Sequence, residues 1–263
     1  MNIRSLYRAK LRAEELTPAS DVLPMGTYTL PHPIWSEKEV EEVRITHNEP
    51  DTMVDKLAFN AVQLLRKSFD FLSGFNRGDR NEKIWLNRIC FLETVAAVPG
   101  MVAAMTRHLH SLRRMKRDYG WIHTLLEEAE NERMHLLTAL QLRKPSWFFR
   151  LAVVCSQGVF VTMFSASYLI SPKFCHRFVG YLEEEAVKTY TKCLEDIDGN
   201  GRMKVWRTVP APELAIRYWQ LDSEASMRDV ILAIRADEAH HRLVNHTFAA
   251  LRPNDYNPYP PGF

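Results

Sequence analysis

Cysteine is scarce in this 263-residue chain and badly spaced for cross-linking. The four residues, Cys90, Cys155, Cys175 and Cys193, form no Cys-x-x-Cys pair, and three of them sit in apolar helical stretches where a small buried thiol is the ordinary outcome. A disulfide framework is therefore not expected. An excess of one charge is also missing: 34 Lys and Arg face 32 Asp and Glu, a net charge of +2, which excludes a bulk electrostatic nucleic-acid binder. The first sixteen residues carry Arg4, Arg8, Lys10 and Arg12 beside Glu14 and Glu15, with no apolar run long enough for a secretory signal. Any organellar leader is expected to be either removed or too short to recognise. No alternating strand pattern is found, and no repeat apart from one doubled motif.

What is present reads as helix. Residues 17–52 are rich in proline (Pro18, Pro24, Pro31, Pro33, Pro50), which removes amide donors and biases each preceding residue away from helix. This predicts an extended arm over 1–52 that must dock to be ordered. An all-α domain is expected over 53–251, followed by a tail over 252–263. Met53 to Leu72 is amphipathic, with Val54, Leu57, Ala58, Ala61, Leu64, Leu65, Phe69 and Leu72 near helical spacing. Helices are also predicted over about Trp85–Tyr119, kinked at Pro99, Trp121–Leu142, Pro172–Ile197 and Met227–Leu251. A loop over Asp198–Pro212 and a short segment over Glu213–Trp219 join the last two. Trp147–Ile170 is a 24-residue stretch whose only charge is Arg150, long enough to span a bilayer. Ser156, Gln157, Thr162, Ser165 and Ser167 interrupt it, and no second span of comparable length is expected. Trp147, Phe148, Phe149 and Tyr168 at its ends, with Arg150, Lys173 and Arg177 nearby, favour a helix lying in one leaflet over a buried core helix or a span.

The doubled motif is Glu-x-x-His: Glu132/His135 and Glu238/His241, interleaved with Glu93 and Glu183. One such pair is common on solvated helix faces. Two pairs, alternating with two single glutamates, are the donor set with which ferritin-like four-helix bundles hold two iron or manganese ions. Helical phase selects the register. At roughly 100° per residue, Glu183 falls near the face marked by Val179, Leu182, Ala186, Cys193 and Ile197, Glu185 to one side and Glu184 nearly opposite. Tyr190, seven residues on, shares the face of Glu183. Asp237/His240 offers a competing pair one residue out of step, but Met227, Val230, Ile231, Ile234 and Phe248 place Glu238 and His241 inward. Glu93 and Glu132 face inward by the same test. Four buried carboxylates need neutralising, inward basic residues are too few, and two divalent cations supply about the right charge, with mixed Glu/His ligation suiting iron or manganese. Storage, radical formation, hydroxylation and quinol oxidation all remain open at this point, with apolar helices favouring a membrane-borne substrate.

Leu92-Glu93-Thr94, Asn131-Glu132-Arg133-Met134-His135-Leu136, Leu182-Glu183-Glu184-Glu185-Ala186 and Arg235-Ala236-Asp237-Glu238-Ala239-His240-His241 resemble the four signature boxes of the alternative oxidases, the cyanide-insensitive ubiquinol oxidases of mitochondria. The likeness runs from about Trp35 to Phe248 and is nearest to the trypanosomal members. It implies a ferritin-like bundle with two membrane-binding helices, a di-iron centre and a homodimer on the matrix-side leaflet of the inner mitochondrial membrane. The implied reaction oxidises ubiquinol and reduces O2 to water without proton pumping. Carried onto this chain, it assigns metal binding to Glu93, Glu132, His135, Glu183, Glu238 and His241, and redox participation to Tyr190. It assigns the quinol pocket to Arg88, Leu92, Glu185, Ala186 and Thr189. A hydrogen-bonded shell around the metals falls to Asn131, His176, Tyr218, Trp219 and Asp237, and a dimer contact to His108. The plant members' regulatory cysteine has no counterpart, since no Cys precedes Cys90. A membrane-bound di-iron hydroxylase of quinone biosynthesis and a ferritin-like iron-binding protein are the rival readings.

Overall fold

The computed structural model describes residues 29–78 and 80–263; expectations for residues 1–28, including Pro18 and Pro24, lie outside the described residues. Eight α-helices are seen among them: α1 (Glu37–Glu42), α2 (Met53–Ser73), α3 (Glu82–Arg114), α4 (Trp121–Leu142), α5 (Trp147–Ile170), α6 (Pro172–Asp198), α7 (Glu213–Trp219) and α8 (Met227–Ala250). The predicted loop after α6 contains one 3-10 helix, Arg202–Arg207. The described residues contain no strand, and their only β pairing is an isolated bridge between Pro210 and Ser226.

Local chemistry sets the helix starts. Ser36, Thr52 and Ser226 each form a capping box with the acid three residues later, Glu39, Asp55 and Asp229, satisfying amides that the first turn leaves free. The first of these was legible as Ser-x-x-Glu and corrects the wholly extended arm: α1 interrupts it. Ser171 caps α6 with Pro172 at the first helical position. Helix α3 continues through Pro99 and ends at Arg114, earlier than the sequence pattern suggested.

Helices α3, α4, α6 and α8 form the bundle, α3 lying along α4 and α6 along α8. Its interior has three layers. One apolar cluster holds Trp85, Leu86 and Ile89 of α3, Ala139 of α4, Cys193, Leu194 and Ile197 of α6 and Met227, Val230 and Ile231 of α8. Another holds Val98 and Val102 of α3, Trp121 and Leu125 of α4, Cys175, Phe178 and Val179 of α6 and Val244 and Phe248 of α8. Along all four helices the Glu and His motifs fall between these clusters, so a polar layer is clamped between two greasy ones. Gly100 lets α3 and α4 approach closely, since a Cβ there would lie 2.6 Å from the Leu125 carbonyl oxygen.

Helices α2 and α5 lie outside the bundle, α2 on α6 and α5 on α3. Only Phe164 and Tyr168 of α5 are buried, which removes the buried-core reading of that helix. A second stretch, within α3, is also long and apolar enough to cross a membrane, correcting the expectation that no comparable one exists. The α3 window is 44% buried against 11% for α5, because α3 is spending its apolar face on the bundle core. Phe69 of α2 stacks on Phe91 of α3, and Phe91 meets Phe149 of α5 edge-on, so α2 and α5 both meet α3 at Phe91.

Candidate metal centre

All six motif residues are buried and converge. Glu93, Glu132, His135 and Glu238 form one group and Glu132, Glu183, Glu238 and His241 another, with the ligand atoms of each group within 4.8 Å of one another. Glu132 and Glu238, the two motif glutamates, belong to both groups. Two four-donor groups with two shared carboxylates are what a pair of adjacent cations requires.

The imidazole of His135 shows how the site is aimed. Its Nε2 donates to Asp237 Oδ2 at 3.0 Å, which in the neutral ring leaves Nδ1 as the lone-pair nitrogen. That nitrogen lies 3.3 Å from Glu93 Oε2, 3.5 Å from Glu132 Oε2 and 3.4 Å from Glu238 Oε1, yet makes no hydrogen bond with any of them. Glu93 Oε2 and Glu132 Oε2 are likewise buried without a hydrogen-bond partner. Unmet buried lone pairs facing one another are costly unless a cation lies between them, so these residues fit metal ions.

The electrostatics agree. Burial, then the charge of Glu132, drive the Glu93 carboxyl well above the ordinary range; burial and Glu238 do the same to Glu183. Burial opposes the charged form of His241, but the hydrogen bond and charge of Glu132 outweigh it and raise the ring to about 9. Without cations, protons must partly neutralise this layer; divalent ions do so without them.

Asp237 carries the support. Its Oδ2 accepts from Asn131 Nδ2 (3.0 Å), His135 Nε2 (3.0 Å) and Trp219 Nε1 (2.8 Å), and its Oδ1 from Trp35 Nε1 (2.6 Å). Asn131 also donates to Tyr218 Oη at 3.0 Å. The structure thus unites Asn131, Tyr218, Trp219 and Asp237 and adds Trp35, which the sequence reading missed; its only signal was an aromatic residue just past Pro31 and Pro33. His176 stands in a separate chain. Its Nδ1 donates to Asn245 Oδ1 (3.2 Å), its Nε2 accepts from Tyr168 Oη (3.0 Å), and Asn245 Nδ2 donates to both oxygens of Glu128 (3.1 Å) and to the backbone oxygen of His241 (3.0 Å). Burial raises Glu128 to about 7 and lowers His176 to about 4.

Tyr190 donates its hydroxyl proton to Glu93 Oε1. Beyond it lies a charged cluster only part of which was foreseen. The Arg88 guanidinium is buried between the rings of Phe69 (5.0 Å) and Phe75 (4.1 Å), with Nη1 paired to Asp70 Oδ1 at 2.7 Å, while Nε and Nη2 make no hydrogen bond. Arg66 Nε donates to Asp70 at 3.0 Å, and its Nη1 to Glu185 Oε2 (3.2 Å) and Thr189 Oγ1 (2.9 Å). Arg88, Glu185 and Thr189 are therefore linked through Arg66 and Asp70 of α2. Leu92 and Ala186 are half-buried beside this cluster in sequence, and His108 is exposed on α3. His240 does face away from the centre, against Trp35 and Tyr259.

A family model described as alternative oxidase matches residues 35–250. This chain belongs to the alternative oxidase family. It is 51% identical over 240 residues to the mitochondrial alternative oxidase of Emericella nidulans, the match covering 87% of this chain and 68% of that protein. It is 48% identical over 244 residues to alternative oxidase 2, mitochondrial, of Candida albicans (87% and 67% covered) and 50% identical over 255 residues to the mitochondrial alternative oxidase of Ajellomyces capsulatus (91% and 71%). Membership makes the protein an oxidoreductase, and the paired carboxylate–histidine groups fit a metal centre.

Proposed function

We propose that this oxidase takes electrons from ubiquinol and delivers them to O2, two quinols per O2, giving two ubiquinones and two waters without proton pumping. The observation that carries this reading is the pair of donor groups sharing Glu132 and Glu238 beside a buried guanidinium with unmet donors. Glu93, Glu132, His135, Glu183, Glu238 and His241 would hold two iron ions, and the iron supplies the redox chemistry. The chain supplies the rest. Asp237 fixes the His135 tautomer through Nε2, as metal-ligating histidines require. Tyr190 holds a proton at Oη against Glu93, where it can be given up during O–O cleavage. Arg88 offers guanidinium donors to a quinol oxygen, with Leu92 and Ala186 as apolar wall and Glu185 and Thr189 as polar edge.

The substrate's greasiness fits the surface. Met53, Leu57, Leu64, Leu65, Phe71 and Leu72 of α2 are exposed, as are Trp147, Phe148, Leu151, Val154, Met163 and Ile170 of α5. These faces suit a helix pair lying in one leaflet, here assigned to the matrix side of the inner mitochondrial membrane. Residues 53–251 form the working unit, with residues 29–52 and the 252–263 tail packed on it. A homodimer through the face of α3 bearing His108 completes the proposal, since Met101, Met105, Leu109 and Leu112 are exposed there.

The test is oxygen uptake by the purified protein with ubiquinol-1 in the presence of cyanide. Cyanide-resistant uptake with ubiquinone as the sole organic product is expected. A ring-hydroxylated product would install the hydroxylase reading instead, and uptake independent of quinol would remove both.

A further inference from the structure

Glu184 stands next to a residue of the metal centre but belongs to neither donor group. Helical phase placed it nearly opposite the bundle core, yet it is only 2% exposed, because the arm covers that face of α6. Burial alone would raise its pKa, but hydrogen bonds from His246, His47 and the Asn48 amide hold it below the usual carboxylate range. Oε2 accepts from His47 Nδ1 at 2.6 Å; Oε1 accepts from the Asn48 backbone amide at 2.8 Å and from His246 Nε2 at 3.0 Å.

The surroundings make this a joint between four segments. Nδ1 of His246 faces the Arg177 guanidinium at 2.8 Å, a group that only donates, so Nδ1 accepts and Nε2 carries the proton given to Glu184. The ring lies so tightly on α6 that a Cβ at Gly180 would meet it at 2.6 Å. Arg177 Nε donates to Asp55 Oδ1 at 2.8 Å, and Asp55 Oδ2 accepts from the Thr52 amide at the start of α2 at 2.9 Å. His47 packs against Phe59 of α2 and Tyr181 of α6, ring centroids 5.2 and 5.9 Å away. The arm and α8 therefore meet α6 at one carboxylate, and the first turn of α2 joins it through Asp55, Arg177 and His246.

Helix α2 needs such a joint, because it buries only Asp55, Ala58 and Val62. Further polar contacts hold it about two to four turns on: Gln63 and Arg66 on Glu185, Arg66 on Thr189 and Asp70 on Arg88. We propose that Glu184 is a positioning residue for the quinol site: it pegs the front of α2 to the bundle and thereby keeps Arg66 and Asp70 in register with Arg88 and Glu185. The three consecutive glutamates then divide the work, Glu183 into the metal layer, Glu184 to the arm and Glu185 to α2. This role rests on the quinol oxidase reading above.

The experiment uses the full chain, iron-loaded and in liposomes, as wild type, Glu184→Ala, Glu184→Gln and His47→Ala. It measures iron per chain, KM and kcat with ubiquinol-1, and hydrogen exchange across residues 47–60. Gln keeps a carbonyl for Asn48 and His246 and an amide for the other His47 tautomer, so it should stay near wild type. Glu184→Ala and His47→Ala should keep their iron and hold kcat within about twofold, raise KM about fivefold or more, and exchange faster at 47–60 only. Unchanged KM with unchanged exchange would overturn the proposal. So would iron loss, or a fall in kcat with KM intact. A wild type that turns over no quinol while exchange at 47–60 still rises in Glu184→Ala would remove the quinol reading and this role together, leaving only the anchor.

Discussion

The bundle helices and the two outer helices solve opposite problems with the same kind of amphipathic sequence. Helices α3, α4, α6 and α8 turn their apolar faces inward and bury between twelve and fifteen residues each. Helices α2 and α5 bury three and two and turn their apolar faces outward. Burial fixes the first set, so it can hold a charged layer whose geometry must not drift. Polar pegs hold the second set, Asp55, Arg66 and Asp70 for α2 and the Gln157 amide on the Thr94 carbonyl for α5. A helix held by pegs keeps its greasy face free, which the proposed leaflet contact requires.

Substitutions in the shared layer should have the largest effect. Glu132→Ala and Glu238→Ala each remove a donor from both groups, and metal analysis should find both ions gone with oxygen uptake at background. Glu93→Gln touches one group only and should keep about one ion; equal loss in all three variants would mean the two groups are not shared as drawn. Tyr190→Phe should retain both ions and lose about 10²-fold in turnover, the scale of a lost proton donor, while a fully active variant would remove the tyrosine from the reaction.

Breaking a peg should be milder and local. Arg177→Ala strands the buried Asp55 and should lower stability by about 3 kcal/mol, read as a denaturation midpoint. Asp55 also sets a pH dependence. Burial pushes its pKa up, but the Thr52 cap and Arg177 outweigh this and hold the folded value below 3.8. The unfolded chain then binds the proton more readily, so this contribution is complete above about pH 4 and is lost as pH falls through the folded value. The stability gap between wild type and Asp55→Asn should shrink in acid; a gap that widens there would reverse the sign. The smallest change in stability belongs to the outward face. Leu64→Glu with Leu72→Glu should shift stability by no more than about 0.5 kcal/mol yet abolish co-sedimentation with liposomes.

Much of the bundle was legible because its signals are local. Apolar period gave α2, α4, α6 and α8 within a few residues, and the interleaved glutamates and histidines gave the metal layer, since ligands must repeat at helical spacing to share a face. Where the reading ran out, the missing information was long-range. Nothing near Trp35 in sequence says that its indole reaches Asp237, and nothing around Arg66 says that it bridges Asp70 to Glu185. The phase of Glu184 was reckoned against the bundle core alone, so the arm that buries it was invisible. His176 carried a polar signal in an apolar helix, but only the packing of α6 on α8 shows that it serves Asn245 rather than Asp237.

Iron per chain, measured together with cyanide-resistant ubiquinol-1 oxidation on one purified sample, bears most directly on the paired donor groups. Two irons per chain, with activity rising in step with iron content, are predicted. Full quinol oxidation from a sample that holds no metal, or saturation at a single iron, would contradict it.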